Sequence, residues 1–413
     1  MALASTPARP LIALLLAGLF GSGAHAESSP YYVGTSLGLT RVANVYRLDS
    51  AQPANNDWVT TGSLLAGIDQ RYGRQRIYGN LSLNANRYRH NSLLNNTAYQ
   101  LDSGLDWSAF DKLGGTLTAG GSKSLAEFNP GGDKPSLTIK NVLTTKRAGA
   151  SARYGLAGQL SLEARANHYT SRYSASEYLP YNYEQNDAAV GLVYRSSPSL
   201  SLGSYGRLTR GSYPNYRLVG GSYVVDRVRR KDLDLTANWQ PSALSSLSAR
   251  LSFGRATHSE AGSGSFSGTT GSLVWQWQAL PKLGFNTTLS RETGLDSTPV
   301  NGSPFGNEID YNRVTNRVRL GADYAMSAKI GLTASYAVAK RDQRNSFGVN
   351  SVAGSDTLTS WRVGLNWSAT RNALLSCQYT HDERSLGQAQ PISPYTLPYS
   401  ANSMGCTGQY MLR

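Results

Sequence analysis

The sequence predicts an all-β fold: a transmembrane antiparallel up-and-down β-barrel of about eighteen strands. Three observations predict it. First, nine aromatic residues recur at intervals of 35 to 47 residues: Tyr72, Trp107, Tyr154, Tyr194, Trp239, Trp277, Tyr324, Trp367 and Tyr410. Second, each closes a stretch in which apolar and polar residues alternate, the period of a strand with two different faces. Third, the connections between such stretches alternate between short and long. A strand that ends in an outward aromatic and then turns tightly is the hairpin of an outer-membrane barrel at its interfacial girdle. A soluble β-protein has no reason to put Trp or Tyr outside before every second turn.

Composition agrees. Charged residues make up only 16% of the 413, while 25 Tyr and 42 Gly suit strands, turns and a polar lumen. No run of about 20 apolar residues follows the N-terminus, which excludes a bundle of membrane-spanning helices. Residues 1–26 read as a secretory signal. Arg9 is its positive start, residues 11–20 its apolar core, and Ala24-His25-Ala26 its cleavage site. The mature part, 27–413, is expected to be the barrel alone.

Strands are expected near 31–46, 59–72, 75–89, 97–110, 113–127, 141–156, 159–174, 184–196 and 199–213. The series continues at 228–241, 245–259, 268–279, 283–294, 311–326, 330–343, 357–369, 373–384 and 402–412. The number is even, so both ends fall on one side. Short turns such as Gly73-Arg74, Asp111-Lys112 and Pro281-Lys282 follow the aromatics and belong in the periplasm. The longer connections, 49–58, 90–96, 128–140, 175–183, 214–227, 260–267, 295–310, 344–356 and 385–401, face outward. They carry turn formers such as Asn129-Pro130-Gly131-Gly132. None reads as a long constriction loop, so the lumen is expected to be open or gated by a partner.

Parity assigns the faces. In the third strand Ile77, Leu81 and Leu83 oppose Tyr78, Asn80 and Asn84; in the sixteenth Trp361, Val363 and Leu365 oppose Arg362 and Asn366. The apolar set must face lipid, where a charge costs about 2–4 kcal/mol near the midplane. The polar set faces a lumen wide enough for water. Inward parity collects Arg71, Arg147, Arg153, Arg165, Arg207, Arg250, Arg317, Arg319 and Arg362, with Asp69, Asp102, Asp106, Glu163, Asp232, Asp234 and Asp323. The signs nearly balance. Salt bridges bracing the lumen are one reading. Contact with a sugar polymer or an anionic solute is the other, with Tyr78, Tyr88, Tyr169, Tyr173 and Tyr205 as stacking faces.

The net charge of +14 then lies mostly on the rims. Arg227, Arg229, Arg230 and Lys231 form a run at the outer end of the tenth strand, and Arg87, Arg255 and Arg291 take outward parity nearby. Lipopolysaccharide phosphates lie at that level, and arginine pairs well with phosphate. The signal and the lipid-facing stripe argue against nucleic acid as the partner. Cys377 and Cys406 fall opposite each other in the final hairpin, on one face. A cross-strand disulfide in an oxidising periplasm and two apolar-facing thiols both fit that spacing. His90, His168, His258 and His381 have no metal-ligand spacing, and no nucleophilic trio is apparent. No enzyme, cofactor or metal is expected.

The N-terminal third resembles the EpsL-like outer-membrane barrels of exopolysaccharide and exosortase systems. The resemblance is carried by Gly73-Arg74-Gln75-Arg76, Asn84-Ala85-Asn86-Arg87-Tyr88, Asn95-Asn96-Thr97-Ala98-Tyr99-Gln100-Leu101 and Gly104-Leu105-Asp106-Trp107. An opening Asn44-Val45-Tyr46-Arg47-Leu48 is similar as well. It implies a channel for export or assembly of a secreted polysaccharide, acting with periplasmic and inner-membrane export proteins. It supplies no catalytic residues. The alternative is a general or sugar-selective porin for small solutes. The chain ends Gln409-Tyr410-Met411-Leu412-Arg413, where such barrels usually end in Phe.

Overall fold

Alternation gives each strand one face for lipid and one for water. In a bilayer such strands must satisfy every backbone group by closing on one another. The computed structural model describes residues 29–412, apart from 50, 132–133, 135, 156–157, 261–265, 294–312, 348–349 and 388–395. The strands are β1 (Tyr31–Val42), β2 (Asp57–Tyr72), β3 (Gln75–Tyr88), β4 (Asn96–Ala109), β5 (Leu113–Leu125), β6 (Val142–Tyr154), β7 (Leu160–Tyr173), β8 (Tyr183–Ser197) and β9 (Leu200–Val219). They continue as β10 (Ser222–Ser242), β11 (Ser245–His258), β12 (Phe266–Leu280), β13 (Leu283–Thr293), β14 (Arg313–Ala325), β15 (Ile330–Phe347), β16 (Asn350–Ser368), β17 (Ala373–Leu386) and β18 (Tyr399–Leu412). Each is antiparallel to its sequence neighbour. β1 closes the ring on β18, in register from Val33 opposite Leu412 to Val42 opposite Ser403. This is an eighteen-stranded antiparallel barrel.

Leu37, Leu64, Val190, Leu192, Leu233, Leu235, Leu320 and Val363 are exposed on its outside. A closed barrel with an apolar exterior and a polar interior belongs in the outer membrane of a Gram-negative cell. The recurring aromatics stand on this outer face, beside the short turns: Tyr72 is 61% exposed, Trp239 47% and Trp367 45%. Tyr154, Tyr194, Trp277, Tyr324 and Tyr410 are likewise exposed, and Trp107 is half-buried. Cys377 lies directly opposite Cys406 in β17 and β18, and a disulfide joins them.

Three expectations about connections change. β1 stops at Val42 rather than near 46, because Asn44 (φ 55°) and Arg47 (φ 52°) turn the chain. The Asn44 side chain holds that turn, accepting from the Leu48 N–H at 2.9 Å and donating to the Leu48 carbonyl at 2.8 Å. Segment 214–227 is not an open loop. β9 and β10 run on as one long hairpin through Gly220-Gly221, whose φ of 59° and 83° suit a two-residue primed turn. Pro214 sits in the bulge between the Tyr213–Asp226 and Arg217–Val224 pairs, where no ladder donor is needed. Segment 344–356 likewise extends β15 and β16. The signal segment and the whole of the connection 295–310 lie outside the described residues.

Inside, tyrosine rings cover glycines on the same or neighbouring strands. Tyr32 lies on Gly67, Tyr78 on Gly104, Tyr183 on Gly211, and Tyr205 on Gly191 and Gly203. A ring laid flat on a glycine fills the space a side chain would take and stiffens a strongly curved sheet.

Candidate pore constriction

The connection after β5 does not stay at the rim. Residues 126–131 and Lys134 fold into the mouth of the barrel and dock at three places. Lys134 is buried, with its ammonium 5.7 Å and 5.6 Å from the ring centres of Tyr173 and Tyr181. Phe128 packs with Val45 and Leu94 and meets Tyr46 edge-on at 4.9 Å. Asn129 donates to the carbonyls of Arg47 (2.8 Å) and Leu397 (3.1 Å) and accepts from Arg384 Nη1 at 2.8 Å. The Pro130 carbonyl accepts from Arg384 Nη2 at 2.8 Å and from Arg341 Nη1 at 3.0 Å. Arg341 and Arg384 share the Asp356 carboxylate. β5 stands six places from β17 on the ring and eight from β15. The loop therefore narrows the mouth, contrary to the expectation of no constriction loop. Its short length hid it: a few residues suffice because long arginines reach in from the far wall.

Gly131 makes this docking possible. Its φ is +78°, and a Cβ there would lie 2.9 Å from Arg384 Nη1 and 3.0 Å from Arg341 Nη2. Arg47, in the loop after β1, adds an ion pair to Glu127, a second to Asp382 at 3.1 Å, and a position over the Tyr399 ring.

Below the mouth the two walls differ. From β2 to β10 most inward charges pair closely. Arg76 holds Asp69 at 2.6 Å and lies 3.7 Å from Asp106; Arg147 pairs with Asp102. Arg153 and Arg165 both hold Glu163 at 2.6 Å, and Tyr205 donates to it at 3.2 Å. Arg207 binds Asp234 at 2.7 Å and Asp232 at 3.3 Å, with its side chain almost wholly buried. Arg230 is inward too, splitting the basic run at 227–231. It holds Asp232 at 2.8 Å, Thr293 at 2.5 Å and Thr270 at 3.2 Å. Arg71 is exposed near the periplasmic end. This half of the lining is a brace.

Among the described inward residues from β11 to β17 arginine outnumbers acid: Arg250, Arg313, Arg317, Arg319, Arg341, Arg362 and Arg384 against Glu292, Asp323, Asp356 and Asp382. Small residues surround the lower arginines. Arg317 lies between Ser290 and Ala339, Arg319 between Thr288 and Ala337, and Arg362 between Ser335 and Thr380. Glu292 approaches Arg317 only to 3.8 Å, and Arg362 donates to Thr380 at 3.2 Å. Among the described residues the balance of sign seen in the sequence is thus unevenly spread around the ring, with the excess of inward arginine on β11 to β17. Such a lining focuses a positive field into the lumen.

Sequence reasoning missed Arg230, Arg313, Arg341 and Arg384. Parity could have found Arg230, which alternates with Asp232 and Asp234, and Arg341, which alternates with Ala337 and Ala339. Nothing in the sequence pointed from Asn129-Pro130-Gly131 to Arg384. Among the described residues no cluster of His, Cys, Asp and Glu could hold a metal ion.

No family model matches the chain, and no curated relative matches it. Similar solved structures include the outer membrane protein opdK from Pseudomonas aeruginosa (13% identity, TM-score 0.49, 92% of this chain and 98% of that chain covered). P. aeruginosa OccK2 (OpdF) gives the same identity, TM-score and coverage; OccK5 (OpdH) gives 11%, 0.47, 93% and 98%.

These findings correct the EpsL-like resemblance, and the polysaccharide-export reading with its periplasmic and inner-membrane partners falls with it. The residues that carried the resemblance have structural work in any such hairpin. Gly73 turns at φ +59°, and Arg76 ties Asp69 to Asp106. Asn86 links Thr61 to Asn96, the Asn95 side chain accepts from the Tyr88 N–H at 2.7 Å, and Asn44 locks its turn.

Proposed function

We propose that the protein is an outer-membrane porin through which small solutes diffuse, with small anions favoured. The carrying observation is the lumen itself: a mouth narrowed by a docked loop, above a wall where Arg317, Arg319 and Arg362 stand among Ser, Thr and Ala. Nucleophile and base arrangements play no part in this reading, which is a channel rather than an enzyme. A basic lining raises the local concentration of anions, an effect that salt screens beyond a Debye length of about 10 Å at 0.1 M. The nine outer aromatics serve as the periplasmic interfacial girdle.

Liposome swelling tests the reading. Vesicles carrying the purified protein should swell in small sugars and small carboxylates, faster for the anions at low salt, and more slowly as solute size grows. Swelling no faster than in protein-free vesicles contradicts it.

A further inference from the structure

We propose that the outer face of β9–β11 binds a phosphorylated glycolipid of the outer leaflet, the lipid A part of lipopolysaccharide. Its phosphates would lie among Arg210, Arg227, Arg229, Lys231 and Arg255, with acyl chains in the apolar trough beneath.

The cations come first. Along β9, β10 and β11 the outward apolar residues end at Leu208, Leu233 and Phe253, and the next outward positions are Arg210, Lys231 and Arg255. All five basic residues are exposed. Arg229 is directly opposite Arg210, and Lys231 directly opposite Arg255. Such partners have Cβ atoms about 4.5–5.5 Å apart, where like charges destabilise the pairing. None of the five has an ion pair with a described acidic residue, and the nearby Asp232 and Asp234 point inward to Arg207 and Arg230. Two adjacent like-charged pairs are stable when an anion bridges them. Phosphate oxygens suit arginine, which grips them through paired N–H donors.

The level fits a headgroup. A barrel's apolar band is about 25 Å tall, and strands tilted about 35–45° and rising about 3.4 Å per residue cross it in roughly ten residues. Ten residues separate Trp239, at the periplasmic end of β10, from Arg229.

The trough is an independent observation. Below the cations and running on under β12 to β14, a concavity of about 880 Å³ is lined on the outer face by Leu202, Leu235, Ala237, Leu251, Gly271 and Val318, with Arg291 at its edge. A second apolar concavity of about 610 Å³ lies on β2–β5. The outward cations above that one, Arg87 and Lys123, are two strands apart and face Thr60, Tyr99 and Thr144 across the strands. It is the internal control: a trough without the paired cations.

Native mass spectrometry of the full-length mature barrel in nonionic detergent, titrated with diphosphoryl lipid A, tests the site. The wild type should hold one lipid. The triple variant Arg229→Gln, Lys231→Gln, Arg255→Gln should bind about tenfold more weakly or worse, as expected for lost charge-assisted bonds. The variant Arg87→Gln, Lys123→Gln should bind like the wild type. Dephosphorylated lipid A should bind the wild type weakly, and inorganic phosphate should not displace the lipid. Equal affinity of the triple variant, equal binding of the dephosphorylated lipid, or displacement by inorganic phosphate overturns the proposal. Heat-modifiable gel mobility checks that the variants fold; should the triple variant not fold, the dephosphorylated arm on wild-type protein decides. None of these readouts depends on transport.

Discussion

Arg384 Nη1 donates to Asn129 Oδ1 at 2.8 Å across 255 residues of sequence, and so fastens the loop after β5 to the opposite wall of the barrel. Both side chains are buried, and Asn129 makes three hydrogen bonds. Replacing Asn129 by Ala removes them all. A hydrogen bond to a charged donor contributes about 1.5–3 kcal/mol, so the docked state should weaken by about tenfold to a hundredfold relative to the undocked one. Single-channel recording of Asn129→Ala should show larger or flickering openings, with the barrel's resistance to heat in SDS unchanged.

Gly131→Ala should give the same phenotype by a different cause. The φ of +78° disfavours any Cβ, and the added methyl would press on the guanidinium groups of both Arg341 and Arg384. Wild-type currents from Gly131→Ala would show that the loop tolerates displacement and does not set the narrow point.

Selectivity should track the basic wall. Replacing Arg317, Arg319 and Arg362 by Gln should lower anion preference more than replacing the outward Arg227 and Arg229, because only the first three face the lumen. The difference is read as the shift in reversal potential between the two variants. It should shrink at high salt, where exposed charges are screened.

How much of this was legible in the sequence follows from what carries each feature. Strand number was legible because it rests on alternation and on the aromatic before each short turn, both local. The long β9–β10 hairpin was written locally as well, in Gly220-Gly221, but Pro214 argued for a loop until the bulge gave it a place. The docked loop was not legible. Its partners Arg341, Asp356 and Arg384 come from three strands, and only the closed ring brings them to Asn129 and Pro130. The uneven spread of inward arginine was hidden for a related reason: parity gives a residue's face, whereas the ring decides which residues it stands beside.

Trp239, Trp277 and Trp367 should be quenched by lipids brominated near the headgroup more strongly than by lipids brominated at the chain ends, since all three are exposed on the outer face beside periplasmic turns. Quenching by an aqueous quencher confined to the lumen, with none by brominated lipid, would invert the faces assigned throughout.

The most direct measurement is the reversal potential of the purified wild-type protein in a planar bilayer across a roughly tenfold KCl gradient. A conducting channel narrowed by a docked loop above a basic wall should pass steady current, with the reversal potential displaced toward that of chloride. The absence of current, or a displacement toward the potential of potassium, would contradict the account.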